Sequence, residues 1–178
     1  MIRSIKWLTG MFLMLGWLSG SAADLKAGDP APHFALQDQD GEQHRLQDYA
    51  GRWLVVYFYP KNDTPGCTRE ACEFRDDVFQ FGQLNVGLLG ISLDDIESHR
   101  RFAEKYSLPF PLLSDAEGRV AEAYGSLFSL GPLKFAKRHS FIIDPASRIA
   151  RVYRDVDPKS HSDQVIADVQ RLMAATAR

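Results

Sequence analysis

The chain has 178 residues, of which 45% are hydrophobic and 25% charged, and its formal net charge is −2. This length and composition fit a globular protein that buries one full hydrophobic core. No basic stripe typical of a nucleic-acid-binding protein occurs, so we expect no nucleic-acid partner.

The N-terminal residues 1–23 have the order of a secretion signal. The cationic Arg3 and Lys6 precede an apolar run (7–18), and small residues follow it. This run is shorter than the about 20 residues that span a bilayer. We therefore predict a cleaved signal peptide, a mature domain over 24–178 in the periplasm or an equivalent exported space, and no stable membrane insertion after cleavage. An uncleaved N-terminal anchor is the alternative.

The first predicted elements of the domain are three strands. Two of them, 33–37 and 43–46, form a hairpin around the Asp40–Gly41 turn, where glycine tolerates a positive φ. The third is the continuous β-branched and aromatic run Trp53–Tyr59, which is typical of a buried central strand. Pro60 ends it.

A helix is predicted after the Thr64–Gly66 turn, because apolar residues recur there at spacings of three and four. Its stripe consists of Cys67, Ala71, Phe74, Val78 and Phe81. Cys67 is therefore expected in the first turn on the inward face, whereas Cys72 lies off the stripe.

The remaining elements alternate before two strands follow each other. We predict a buried strand at 86–93, an exposed helix at 94–106, a short strand at 110–115 and a short helix at 117–125. A loop without a clear period follows at 126–138, then two strands at 139–144 and 148–154 and a last helix at 163–175. The order βαβ then ββα is the thioredoxin-like arrangement. It predicts an α/β sandwich with a mixed central sheet and helices on both faces.

The chain has only two cysteines, Cys67 and Cys72, and they lie five positions apart. Redox and zinc pairs are usually spaced as Cys-x-x-Cys. A disulfide that closes so short a loop removes little entropy from the unfolded chain, which disfavours a structural staple. A cysteine at a helix start instead faces free backbone N–H groups and the positive end of the dipole, both of which favour the nucleophilic thiolate. An inert core cysteine is the alternative.

The stretch around the cysteines resembles the peroxiredoxin family. Its P-x-x-x-T-x-x-C motif is present as Pro60, Thr64 and Cys67, and the run TPGCTREACEFRD resembles the bacterioferritin-comigratory, or Q-type, branch. In "KRHSFIID", Arg138 matches the arginine that peroxiredoxins carry shortly before the Phe-x-x-Asp strand. The resemblance covers about 25–171.

This resemblance implies a thiol-specific peroxidase that reduces hydrogen peroxide and organic hydroperoxides. Cys67 would be the peroxidatic nucleophile, oxidised to a sulfenic acid, and Cys72 the resolving thiol that forms an intramolecular disulfide with it. Arg138 would stabilise the thiolate and the developing charge, Thr64 would orient the peroxide, and Pro60 would shield the pocket. A thioredoxin-like donor would then reduce the disulfide. No cofactor is needed, and a monomer or weak dimer is expected.

Two other functions remain open from the residues. One is an exported thioredoxin-like thiol–disulfide oxidoreductase that acts on protein substrates, which the missing Cys-x-x-Cys argues against. The other is a non-enzymatic domain with a structural disulfide. The five histidines are scattered along the sequence, so we expect no metal site.

Overall fold

A five-stranded mixed sheet forms the centre of the domain. The computed structural model describes residues 24–176, so the predicted signal peptide lies outside the described residues. The strands are β1 (Ala35–Gln37), β2 (Gln43–Arg45), β3 (Leu54–Phe58), β4 (Gly87–Ser92), β5 (Leu112–Ser114), β6 (Leu127–Leu130), β7 (Leu133–Ala136), β8 (Ser140–Ile143) and β9 (Ile149–Tyr153). The helices are α1 (Pro65–Asp76), α2 (Val78–Gln83), α3 (Ile96–Tyr106), α4 (Arg119–Ala123) and α5 (His161–Thr176), with a 3-10 helix at Leu46–Tyr49.

The strand order in the central sheet is β5-β4-β3-β8-β9. Strand β3 runs parallel to β4 and antiparallel to β8, and the ladder places Tyr57 opposite Ser140. All five residues of β3 are buried, as the continuous apolar run predicts. The mixed sheet of the thioredoxin-like fold is therefore confirmed.

Two hydrophobic cores cover the two faces of this sheet. Alternate residues of the central strand point to opposite faces, so Val55 and Tyr57 enter one core and Leu54 and Val56 the other. Helices α1, α2, α3 and α5 contribute to the first core and α4 to the second. Both cores consist of residues within 25–173, so the predicted mature domain contains all of them. Between residues 24 and 176, no helix has the length and apolar character needed to cross a bilayer.

The segment 126–138 is a β-hairpin, so the prediction of a loop is wrong. Its strands β6 and β7 pair antiparallel through Phe128 and Phe135, whose rings stack 4.6 Å apart. Gly131 takes φ +58 in the two-residue turn, a conformation that glycine adopts readily. Each strand has only four residues, too few for the alternation to stand out in the sequence.

The stripe predicted as one helix is divided between α1 and α2. Asp77 separates them with φ −94 and ψ 0, outside the regular helix, although its N–H still bonds to the carbonyl of Glu73. Phe74 and Phe81 nevertheless point into the same core, where their rings lie 5.9 Å apart. The last helix begins at His161, two residues before the predicted start.

Candidate active site

A short connection between β3 and α1 carries the predicted catalytic motif. Asn62 fixes this connection, because its backbone N–H donates to Asp94 Oδ2 at 3.0 Å. The amide oxygen of Asn62 accepts from the Tyr59 hydroxyl at 2.8 Å, and its Nδ2 donates to Ser98 Oγ at 3.0 Å. Sequence analysis did not identify Asn62, since two of its partners, Asp94 after β4 and Ser98 on α3, lie more than 30 residues away.

Cys67 lies in the first turn of α1 and is 2% exposed. Pro65 starts the helix, a position where its missing N–H costs nothing. The N–H of Thr68 bonds back to the carbonyl of Thr64 at 2.9 Å, so the N–H groups of Gly66 and Cys67 precede the helical ladder. A buried sulfur at this position therefore lies where a helix favours negative charge.

Arg138 reaches the same sulfur from the neighbouring strand. The chain enters β8 beside the exit of β3, where the Phe58 N–H bonds to the carbonyl of His139 at 2.8 Å. This pairing brings Arg138 to Cys67, and Arg138 Nη2 donates to Cys67 Sγ at 3.2 Å. The guanidinium therefore holds a charged donor directly against the sulfur.

Glu70 completes the group and was missed by sequence analysis. Its side chain is fully buried and pairs with Arg138 Nη1, while Oε1 has no hydrogen-bond partner among the described residues. Burial raises the pKa of Glu70 to about 7, although Arg138 opposes this rise. Burial acts to lower the pKa of Arg138, but Glu70 and Cys67 outweigh it and raise that pKa. A glutamate three positions after Cys67, on the inward side of a helix, was the available signal.

Gly66 gives the guanidinium room to approach. A Cβ at this position would lie 3.1 Å from Arg138 Nη2, closer than ordinary van der Waals contact. A side chain at this position would therefore require the guanidinium to shift by a few tenths of an ångström.

The other two motif residues line the approach to the helix. Thr64 is the N-cap residue of α1, and its hydroxyl donates to the carbonyl of Lys61 at 3.0 Å instead of to the Cys67 sulfur. The oxygen of this hydroxyl can still accept a hydrogen bond from a ligand. Pro60 is half-buried and, with Leu133 and Phe135, lines a cleft of ≈ 480 Å³. The roles of Thr64 and Pro60 remain predictions.

Cys72 lies on the same helix as Cys67 but on another side. Residues five apart in an α-helix are separated by about 140° around the axis. Cys72 is half-buried and, with Arg69 and Glu73, lines a separate cleft of ≈ 290 Å³. Both cysteines are free thiols, so the structure does not bring the two sulfurs together.

The side chain of His161, at the start of α5, packs against α1. Its ring meets Phe74 of α1 edge-on at 5.6 Å, and its Nε2 lies 2.8 Å from Ser140 Oγ. Burial lowers the pKa of His161 to about 4, so the ring is neutral at physiological pH.

One group of side chains has the spacing of a metal site. Asp38, Glu42 and His44 offer potential ligand atoms within 4.8 Å of one another. The His44 ring nitrogens already lie 2.9 Å from Asp38 Oδ2 and 2.6 Å from the Tyr49 hydroxyl. Asp38 Oδ1 accepts two backbone N–H groups of the β1–β2 turn, including that of Asp40. These hydrogen bonds show that Asp38 and His44 stabilise the β1–β2 hairpin.

The chain is similar in sequence and in structure to several known proteins. Residues 27–152 match the AhpC/TSA family. The chain is 45% identical over 146 residues to peroxiredoxin Bcp of Escherichia coli, which covers 80% of this chain and 94% of that protein. A PrxQ mutant of Xylella fastidiosa superposes with a TM-score of 0.80 at 31% identity, covering 85% of this chain and 99% of the other. The bacterioferritin comigratory protein of Xanthomonas campestris, whose structure was used to study alkyl peroxide reduction, superposes with a TM-score of 0.76 at 30% sequence identity. The match covers 82% of this chain and 98% of that protein.

Proposed function

Because the chain belongs to the AhpC/TSA family and is a peroxiredoxin of the Bcp/peroxiredoxin Q type, we propose that Cys67 is the nucleophile of its thiol peroxidase reaction. The single observation that carries this assignment is the hydrogen bond from Arg138 Nη2 to Cys67 Sγ at 3.2 Å, at the N-terminus of a helix. Arg69 and Arg75 lie near Cys72, but neither donates a hydrogen bond to its sulfur within the described residues.

The first step is attack of the Cys67 thiolate on one oxygen of the peroxide. The O–O bond breaks, the sulfur becomes a sulfenic acid, and the second oxygen leaves as water or an alcohol after taking up a proton. Negative charge grows on the leaving oxygen during this step. Arg138 is placed to stabilise that charge, because its guanidinium already contacts the attacking sulfur. Thr64 and Pro60 would orient the peroxide and exclude water.

The second step is condensation of the sulfenic acid with the Cys72 thiol. The S–O bond breaks, a disulfide forms, and water leaves. A thioredoxin-like dithiol then reduces this disulfide by exchange and becomes oxidised itself. In each cycle the donor dithiol gives two electrons and the peroxide takes them up, and Cys67 and Cys72 carry the electrons between them.

Titration of the reduced protein with hydrogen peroxide, followed by thiol counting and intact mass, tests the proposal. In the wild type, we expect one equivalent of peroxide to consume both thiols. The variant Cys67→Ser should turn over no peroxide. Turnover by Cys67→Ser at the wild-type rate would refute the assignment. Slow oxidation together with reduction of protein disulfides would instead support the thiol–disulfide oxidoreductase, which the comparisons do not favour.

We also propose that the enzyme is exported and acts as residues 24–178. The support is the charged, apolar and small-residue order of the first 23 positions. N-terminal sequencing of the native protein should find a start near Asp24, and an intact Met1 in the cytosol would refute export.

A further inference from the structure

The hairpin β6–β7 has one apolar face and one mixed face. Cross-strand partners and residues two apart share a face of a β-ribbon. Phe128 and Phe135 are paired, and so are Leu130 and Leu133, which puts these four side chains on one face. The opposite face carries Leu127, which packs on the second core.

This apolar face is formed by Phe128, Leu130, Leu133 and Phe135, and the described part of the chain covers it only in part, since the two phenylalanines are half-buried and the two leucines exposed. None of the four residues belongs to either hydrophobic core or packs against one. Leu130 is 69% exposed and Leu133 54%, and only Phe79 is as exposed among the large hydrophobic residues described. Two such leucines at the tip of one ribbon indicate an interaction surface.

The charged residues of the hairpin segment itself are all positive. The segment 126–139 contains Lys134, Lys137 and Arg138 and no acidic residue, although the chain as a whole has a formal net charge of −2. Lys134 and Lys137 are exposed and form no ion pair within the described residues. A cationic surface with an apolar tip complements a surface that is anionic outside and apolar beneath.

We propose that the β6–β7 hairpin docks the protein on an anionic lipid bilayer. Leu130 and Leu133 enter the interface, and Lys134 and Lys137 contact the anionic headgroups. A lysine next to an apolar side chain can do this because its stem lies along apolar surface while its ammonium group stays at the polar level.

A second copy of the chain fits this face less well. Two hairpins that met through their apolar faces would bring like charges together, which opposes association. A face of four side chains is also far smaller than the about 20 residues per side of a stable protein interface.

Docking in this orientation would place the cleft that Pro60 lines beside the bilayer. Leu133 and Phe135 line the cleft of ≈ 480 Å³ together with Pro60 and Lys61. Asp94 also lines it, but its Oδ2 already accepts the Asn62 N–H and the Ser92 hydroxyl. The side of the domain that carries the predicted peroxidase motif would therefore face the lipid.

Vesicle co-sedimentation of residues 24–178 tests the docking without any peroxide, so its outcome is independent of the proposed activity. This part contains both cores, and its match covers 94% of the E. coli relative. We expect binding to vesicles of equal parts phosphatidylglycerol and phosphatidylcholine, and much weaker binding to phosphatidylcholine alone. Lys134→Glu should weaken the first by about five-fold or more. The double variant Leu130→Ser/Leu133→Ser should weaken it by about ten-fold or more.

Matched controls are available outside the hairpin. Phe79→Ser removes an equally exposed apolar side chain from α2, and Lys26→Glu reverses an exposed charge near the N-terminus of the domain. Both should bind like the wild type, and all variants should keep its melting temperature. No binding by the wild type, equal binding by the hairpin variants, or equal losses in the controls would each overturn the proposal. So would a stable dimer that dissociates in the double leucine variant, which would assign the face to a second copy.

Discussion

Glu70 and Cys67 lie one helical turn apart on α1 and contact the two terminal nitrogens of one guanidinium. Arg138 donates Nη2 to the sulfur at 3.2 Å and Nη1 to the buried carboxylate. The direction of the guanidinium is thus set by two partners on the same helix. An arginine suits this position because its planar fork presents two donors at once, whereas a lysine presents a single point charge.

Arg138→Lys should therefore slow the oxidation of Cys67 although the positive charge remains. We expect a loss of about a hundred-fold, the size seen when one donor to a developing oxyanion is removed. Stopped-flow measurement of the second-order rate with hydrogen peroxide checks this. A rate within a factor of about two of the wild type would mean that charge alone, without the two-point contact, is sufficient.

Gly66→Ala should separate activity from stability. The added Cβ lies 3.1 Å from Arg138 Nη2 and should displace the guanidinium from the sulfur, which slows peroxide reduction. Alanine also has the better helix propensity, by at most about 1 kcal/mol at this second residue of α1, so the free energy of unfolding should change little. Gly82→Ala in α2 is the matched control, because nothing lies within 4 Å of its added Cβ. Unchanged activity in Gly66→Ala would contradict the expected displacement.

Glu70 should make the stability of the protein depend on pH in an unusual direction. Burial raises the pKa of Glu70 from 4.5 to about 7 in the folded chain. Between these values the folded chain keeps a proton that the unfolded chain releases, so this contribution to the free energy of unfolding is present at low pH and is lost as pH rises toward 7. Urea unfolding of the wild type and Glu70→Gln across this range should give a difference that falls with pH. A difference that rises would contradict it.

His161 should act in the opposite direction. Burial lowers its pKa from 6.5 to about 4, so the unfolded chain binds a proton that the folded chain does not. The free energy of unfolding should therefore decrease as pH falls from 6.5 toward 4, and His161→Gln should reduce this dependence. The exposed His33 provides the control variant His33→Gln. Equal acid sensitivity of the wild type and His161→Gln would contradict this prediction.

Formation of the Cys67–Cys72 disulfide should require part of α1 to unwind. Residues five apart in a regular helix have Cα atoms about 8–9 Å from each other, beyond the roughly 4.4–6.8 Å that a disulfide tolerates. The reduced helix is continuous over Pro65–Asp76. Amide hydrogen exchange should therefore show lost protection over about 67–73 in the oxidised protein. Equal protection in both forms, with the disulfide present by mass, would contradict the unwinding.

Cys72→Ser provides the complementary experiment. Without a resolving thiol, Cys67 should accumulate as sulfenic and then sulfinic acid at excess peroxide, and α1 should keep its exchange protection. Intact mass after oxidation distinguishes these products from the wild-type disulfide. If the variant turned over peroxide with a dithiol donor as fast as the wild type, Cys72 would not be the resolving residue.

The sequence alone predicted the parts of the fold that depend on local patterns. The apolar run of β3 and the proline that ends it placed Cys67 at a helix start, where the structure has it. Glu70 could not be assigned, because its partner Arg138 lies 68 residues away and meets it only through the pairing of β3 with β8. Asn62 was missed for the same reason. The hairpin β6–β7 escaped because its strands are too short to show a period.

The pairing of β3 with β8 anchors Arg138 beside the central sheet, whereas Cys67 lies on a helix that the proposed disulfide would unwind. Arg138 lies two residues before β8, a central strand whose four residues are all buried, so its backbone is anchored next to the core of the domain. Cys67 belongs to a helix that would have to open during each catalytic cycle. If the proposed disulfide forms, its reduction would let α1 rewind, and the thiol would return to a guanidinium that has kept its place. Recovery of the reduced site would then be a local, unimolecular closure that does not require the domain as a whole to refold.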